Sequence, residues 1–252
     1  MNQTIIIPAL CPDHRVVSLV RELTQRGANR ILVVDDGSGP LYAPVFSALE
    51  QEGCKVVHHR VNHGKGAALR TGITFAREYW PTTRAVVSAD ADGQHTAEDI
   101  LRVAYASDLH PNAYVLGCRD FSLAGIPARS RVGNRIMAAI FRFGTGVDLS
   151  DTQTGLRALP ARFFDEALAC PGNRFEWEMD LLFRLAREGH EVASVPISTV
   201  YLNGNASSHF HPLRDSIRIM APVARYALAS LFAPKGASPL ATPMQPEALL
   251  CP

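Results

Sequence analysis

The sequence predicts an α/β protein, a single domain with a mostly parallel sheet and helices on both faces. Three observations carry this. Short apolar, β-branched runs alternate with longer segments of helical period. Every early strand ends in a polar or glycine-rich loop, and in such a sheet those loops converge on one edge. The chain, 252 residues and 47% hydrophobic, is long enough for one sizeable core.

Thr4-Ile5-Ile6-Ile7-Pro8 reads as the first buried strand. Asp13 suits an N-cap for the helix that follows, with Val16, Val17, Leu19, Val20 and Leu23 on its sheet face and Gly27 at its end. Ile31 to Val34 form a second strand, which runs into Asp35-Asp36-Gly37-Ser38-Gly39. A helix over 43–52 closes at Gly53, and 55–58 make a third strand. Gly64-Lys65-Gly66 opens a helix that reaches Tyr79. Ala85-Val86-Val87-Ser88 is a fourth strand, delivering Asp90-Ala91-Asp92-Gly93-Gln94-His95 to the sheet edge.

The pattern then predicts a helix over 99–107, a strand over 113–117 and a basic-apolar helix over 129–143. A polar loop over 148–157 and a helix over 176–188 come next, the latter closed by Gly189. Strand character over 192–195 and 197–201 is interrupted by Pro196. Residues 203–212 form a His-containing loop, and 215–232 a helix suited to cover the sheet or lie on a membrane. The catalytic domain is thus expected over 1–232, with 233–252 a flexible Pro/Ala-rich tail.

A net charge of +1 gives no argument for nucleic acid. Cysteines at 11, 54, 118, 170 and 251 lack metal-binding spacing and read as thiols. The opening residues lack signal-peptide regions, and no apolar run is long enough to span a bilayer. A cytoplasmic protein is expected, peripheral at most on the inner membrane face. No motif points to an obligate protein partner.

Asp90 and Asp92 at a strand end offer hard oxygens suited to Mg²⁺ or Mn²⁺, with substrate phosphates completing the shell. An acidic turn would look the same. Asn62-His63-Gly64-Lys65-Gly66 can bring backbone N–H groups and a lysine to phosphate, yet is neither a Walker A loop nor a dinucleotide fingerprint. Arg129, Arg131 and Arg135 suit phosphate or a solvated helix face. Asp151-Thr152-Gln153-Thr154-Gly155-Leu156-Arg157 gathers acid, amide and base. Glu176, Glu178 and Asp180 mark a helix start, where acids also favour the positive helix end.

In their order, the segments at 34–38, 62–66, 90–95 and 151–157 resemble the family 2 glycosyltransferases, and most of all the dolichyl- or polyprenyl-phosphate mannosyl/glucosyltransferase branch. The resemblance spans roughly 4–220. It implies a GT-A fold, a divalent metal (Mg²⁺ or Mn²⁺), a UDP- or GDP-sugar donor and inversion at the anomeric carbon. By the same match Asp90, Asp92 and Gln94 hold the metal. Asp36 and Pro8 sit by the nucleoside, and Lys65 and Arg129 belong to the donor and phosphate site. Arg131 and Asp151 join the catalytic set. Glu178 is the matched base, with Glu176 and Asp180 as alternatives. The acceptor implied is a polyprenyl phosphate or another lipid-linked or glycan acceptor at the membrane surface. Leu10 and Cys11 stand where the family usually has an aromatic residue and an Asn. The rival readings are a nucleotidyltransferase and a catalytically degenerate nucleotide-sugar-binding protein.

Overall fold

A computed structural model describes residues 2–123, 126–199, 226, 242 and 243. The strands are β1 (Gln3–Ala9), β2 (Ile31–Asp35), β3 (Lys55–His58), β4 (Ala85–Ser88), β5 (Tyr114–Arg119), β6 (Arg157–Pro160), β7 (Val192–Ile197) and the two-residue β8 (Thr242–Pro243). The helices are α1 (His14–Gln25), α2 (Ala43–Gln51), α3 (Lys65–Tyr79), α4 (Ala97–Leu109), α5 (Ala128–Thr145), α6 (Phe164–Ala169) and α7 (Phe175–Arg187). They surround one sheet of order β3-β2-β1-β4-β6-β5-β7-β8. All pairings are parallel except those of β6, which runs antiparallel to β4 and β5.

Alternation along the strands builds two apolar layers. Ile6, Leu32, Val34, Val86 and Leu116 face α3, α5, α6 and α7. Ile5, Ile7, Val33, Val87 and Val115 face α1, α2 and α4. The cap expected at Asp13 forms, and Thr96, which was not expected as a cap, caps α4. Asp13 accepts from the Arg15 N–H, and Thr96 accepts from the Asp99 N–H while donating to the Asp99 carboxylate.

Two expectations are corrected. The loop expected up to 157 gives way there to β6, and α6 also went unpredicted. Pro196 does not interrupt β7, which continues to Ile197. Among the described residues, pairing with β8 involves Ala193 and Ser194, so no described ladder meets Pro196 on that side of β7. The expected 203–212 loop, 215–232 helix and 233–252 tail lie outside the described residues, apart from helical Tyr226 and the β8 pair. Cys11, Cys54, Cys118 and Cys170 are free thiols, and burial pushes Cys54 and Cys118 up to about 12.

The sheet opens at its topological switch point. From β1 the chain winds outward to β2 and β3, whereas β4 lies on its other side. Register between β1 and β4 ends at Ile6 opposite Ser88, with the Ala89 N–H donating to the Ile6 carbonyl. Pro8, two residues on, directs its backbone nitrogen to the same side. It has no N–H to leave unsatisfied where the strands part. The C-terminal ends of β1 and β4 therefore flank a crevice of the kind in which open α/β sheets bind ligands.

Helix α3 reaches the sheet because Gly72 has no side chain: a β-carbon there would lie 2.6 Å from Ile6 Cγ2. Gly72→Val is expected to destabilise the fold by about 1–3 kcal/mol through overpacking. A fall in the urea unfolding midpoint would register it.

Candidate active site

Three segments meet beside the crevice. Gly64 precedes the first turn of α3 and places Lys65 there, β4 delivers Asp90, and the first turn of α7 carries Glu178. Lys65 Nζ lies 2.7 Å from Asp90 Oδ1 and 2.8 Å from Glu178 Oε2. Only 13% of the Lys65 side chain is exposed, so solvent screens these pairs weakly. Burial works against the Lys65 charge, but Asp90 and Glu178 outweigh it and hold the ammonium above its usual range. Burial likewise opposes the Asp90 charge, and Lys65 and His95 together keep that carboxyl far below its usual range. His95 Nε2 stands 3.3 Å from Asp90 Oδ2.

The surrounding loops are built to this cluster. Gly155 faces the Asp90 carboxylate so closely that an alanine β-carbon would overlap it. Ser88 donates to the Gly155 carbonyl at 2.9 Å and fixes that approach. Arg157 donates to the carbonyls of Thr152, Thr154 and Glu178, tying the loop before β6 to α7. Glu178 Oε1 is buried without a hydrogen-bond partner, 3.9 Å from Arg157 Nε. Gly64 and Gly66 let residues 173–177 close over the start of α3, where the Ala67 N–H donates to the Asn173 carbonyl.

Asp92 lies beyond Asp90 and accepts from the Gln94 N–H at 3.0 Å. Burial first, and then the charge of Asp90, push its carboxyl upward. Uncompensated negative charge on hard oxygens is what a divalent cation relieves. Among the described residues no group of three or more His, Cys, Asp or Glu side chains is placed to hold a metal ion. An ion at Asp90 and Asp92 would need further oxygens from Gln94 or from a ligand.

Several expected residues are differently employed. The carboxylate of Asp36 takes the N–H groups of His63 and Gly64 and pairs with His59 Nδ1 at 2.9 Å, so it organises the 59–64 loop. Those N–H groups are thereby committed within the protein, which corrects their expected part in a phosphate cradle. Asp151 is fully buried and takes Arg119 Nε at 2.7 Å and Nη2 at 3.2 Å, together with the Gln153 N–H. It is placed to orient Arg119 rather than to meet a substrate. Arg131 is half-buried, with Nη2 3.4 Å from the Ile126 carbonyl and Nε without a partner. Arg129 is exposed. Sequence reasoning missed Arg119 and left His95 unassigned. An arginine two residues past a predicted strand, at the ligand-binding edge, was the available signal for Arg119.

Residues 4–170 match the sequence profile of glycosyl transferase family 2. The chain belongs to that family. This glycosyltransferase is 28% identical over 217 residues to the UDP-N-acetylglucosamine–dolichyl-phosphate N-acetylglucosaminyltransferase of Methanococcus voltae, covering 78% of this chain and 85% of that protein. It is 29% identical over 179 residues to the polyprenol monophosphomannose synthase of Mycolicibacterium smegmatis, covering 67% of this chain and 65% of that one. Its fold resembles glucosyl-3-phosphoglycerate synthase from Mycobacterium tuberculosis, crystallised with Mn²⁺, UDP-glucose and phosphoglyceric acid. That likeness has a TM-score of 0.62 at 18% identity over 92% of this chain and 80% of the other, and supports the GT-A architecture. Among the described residues of this glycosyltransferase, no helix is long and apolar enough to cross a membrane.

Lys65→Met would leave Asp90 and Glu178 buried without their shared cation. The variant is expected to lose about 3–5 kcal/mol of stability, read as a lowered midpoint in chemical unfolding.

Proposed function

We propose that the protein transfers a hexose from a UDP- or GDP-sugar to a polyprenyl phosphate at a membrane surface, with inversion at the anomeric carbon. The observation that carries this reading is the Lys65–Asp90–Glu178 cluster beside the split between β1 and β4, in a chain of this family. The lipid-phosphate acceptors named for the two relatives support the acceptor class. The intact cluster favours an enzyme over a degenerate binding protein, and the family match favours sugar transfer over nucleotidyl transfer. In this reading residues 1–232 form the catalytic unit, which works on the cytoplasmic side.

The donor lies in the crevice with its nucleoside toward Pro8 and the Asp36 loop. Its diphosphate reaches Asp90, Asp92 and Gln94, which would hold a Mg²⁺ or Mn²⁺ ion. When bound, that ion supplies positive charge to the departing nucleoside diphosphate. Lys65 keeps Asp90 ionised and fixed in place. A phosphate oxygen of the acceptor attacks the anomeric carbon from the face opposite the diphosphate. The new carbon–oxygen bond forms as the bond to the diphosphate breaks. Arg131 and Arg129 serve the phosphate groups, and Asp151 acts through Arg119. A lipid phosphate is already an anion and needs little base catalysis. Glu178 is then chiefly the second carboxylate on Lys65, and becomes a general base only for an alcohol acceptor.

A thermal-shift panel of UDP- and GDP-sugars with and without Mn²⁺ tests the donor half. One donor, given with Mn²⁺ at a hundredfold excess over its dissociation constant, is expected to stabilise the protein by about 2.7 kcal/mol. Asp92→Ala should abolish that metal-dependent shift, and full transferase activity in this variant would remove the metal assignment. Glu178→Gln tests the acceptor half. Transfer to a polyprenyl phosphate should weaken but persist, as measured by radiolabelled sugar entering the lipid phase. Complete loss would instead make Glu178 an obligatory base.

A further inference from the structure

We infer that Arg70 is a positioning residue of the site: it fixes the chain ahead of α7 onto α3, and so sets where Glu178 stands against Lys65. The Glu178 carboxylate has little else to aim it. Lys65 meets Oε2 at 2.8 Å, while Oε1 is buried and, among the described residues, has no hydrogen-bond partner. Its place therefore depends on how the first turn of α7 is held. Arg157 holds that turn from one side, donating to the Glu178 carbonyl at 2.7 Å. The other hold is on the connection over 170–174, between α6 and α7.

Arg70 grips that connection from the second turn of α3. Its Nη1 donates to the Cys170 carbonyl at 3.1 Å and to the Gly172 carbonyl at 2.5 Å, and its Nη2 donates to Asn173 Oδ1. These acceptors converge on one guanidinium, whose planar fork can meet them together where a lysine ammonium would not. A charged donor also strengthens each bond. Two further contacts bring the same segment to the start of α3. The Ala67 N–H donates to the Asn173 carbonyl at 2.9 Å, and a β-carbon at Gly66 would lie 2.6 Å from Trp177 Cβ. Glu176 turns back to accept the N–H groups of Asn173 and Arg174, so the connection and the start of α7 move as one piece.

Arg70 bonds to neither Lys65 nor Glu178 and acts through the backbone that carries them. The acceptors it holds lie on the 170–173 segment, away from the end of β4 that delivers Asp90 and Asp92. Loss of the clamp would leave Asp90 with Lys65 and His95 but release the α7 start that brings Glu178 to Lys65. The effect on turnover rests on the proposed transfer reaction, but the clamp itself does not.

Arg70→Met and Arg70→Lys test this in the full chain. With donor, Mn²⁺ and detergent-dispersed polyprenyl phosphate, Arg70→Met should lower kcat about tenfold by misplacing Glu178, with the donor KM and the donor-induced thermal shift unchanged. Arg70→Lys keeps the charge without the fork and should fall between the two, and it carries the test if Arg70→Met does not fold. Added to Glu178→Gln, Arg70→Met should lower kcat no further, because its effect passes through that carboxylate. Losses that multiply across the two substitutions would overturn the proposal, as would a donor KM that rises while kcat holds. Amide hydrogen exchange reads the clamp without turnover. The amides of Ala67, Asn173 and Arg174, each bonded within this segment or to it, should exchange faster in Arg70→Met, with β1 and β4 unchanged. Unaltered exchange at these amides would also overturn the proposal. Faster exchange in a chain that transfers no sugar to polyprenyl phosphate supports the clamp and defeats the acceptor assignment, whereas transfer by Arg70→Met at the natural kcat defeats the positioning role alone.

Discussion

Lys65 carries its ammonium to two carboxylates from distant parts of the chain, Asp90 at 2.7 Å and Glu178 at 2.8 Å. All three groups are withdrawn from water to differing degrees, and each makes the burial of the others tolerable. An ion pair of this kind adds little net stability compared with apolar packing, but removing one member leaves a charge that nothing else can satisfy. The cluster therefore constrains its surroundings more than it strengthens them. Gly155 must lack a side chain, Gly64 and Gly66 must let the 173–177 segment close, and Arg157 must hold α7 against the loop before β6.

That constraint is met where the sheet is weakest in pairing. Between β1 and β4 the register stops at Ile6 and Ser88, and Pro8 has no N–H to donate on that side. The opening so formed lies between the C-terminal ends of β1 and β4, past which Asp90 follows β4. Polar residues nearest to it are mostly pinned. Asp35 receives the Ser38 N–H and pairs with His58, and Asp36 gathers the 59–64 loop. Asp151 secures Arg119. Carboxylates with their acceptor sites filled are poor reactants but good supports, and a site that must hold geometry at ångström precision needs such supports.

Much of this was legible from local sequence. Strand ends are marked by β-branched runs passing into acids and glycines, so Asp36, Asp90 and Asp92 were placed on the right edge. The helix starts at 65 and near 176 followed from Gly64 and from acids in a first turn. The rest depended on contacts that sequence spacing does not encode. Segment β6 has only four residues, begins with Arg and ends with Pro, and owes its strand state to pairing with β4 and β5. Asp151 looked chemically available because its partner, Arg119, lies 32 residues earlier. Pro196 looked like a break because the sequence does not show that β7 keeps its pairing with β5 through that position. In each case tertiary pairing overrode a correct local signal.

Helix α5 shows the same principle acting outward. Its periodicity read as an amphipathic helix with arginines near its start, and that remains correct. Periodicity alone cannot say that two apolar faces exist, because an extra apolar position widens a stripe as readily as it founds a second one. Only packing separates them: Met137 and Phe141 are taken up by the core, and Val132 and Ile136 are left outside it. A helix with one apolar face is fully accounted for by the fold. The second face, flanked by arginines, is left outside the two core layers that the described residues build.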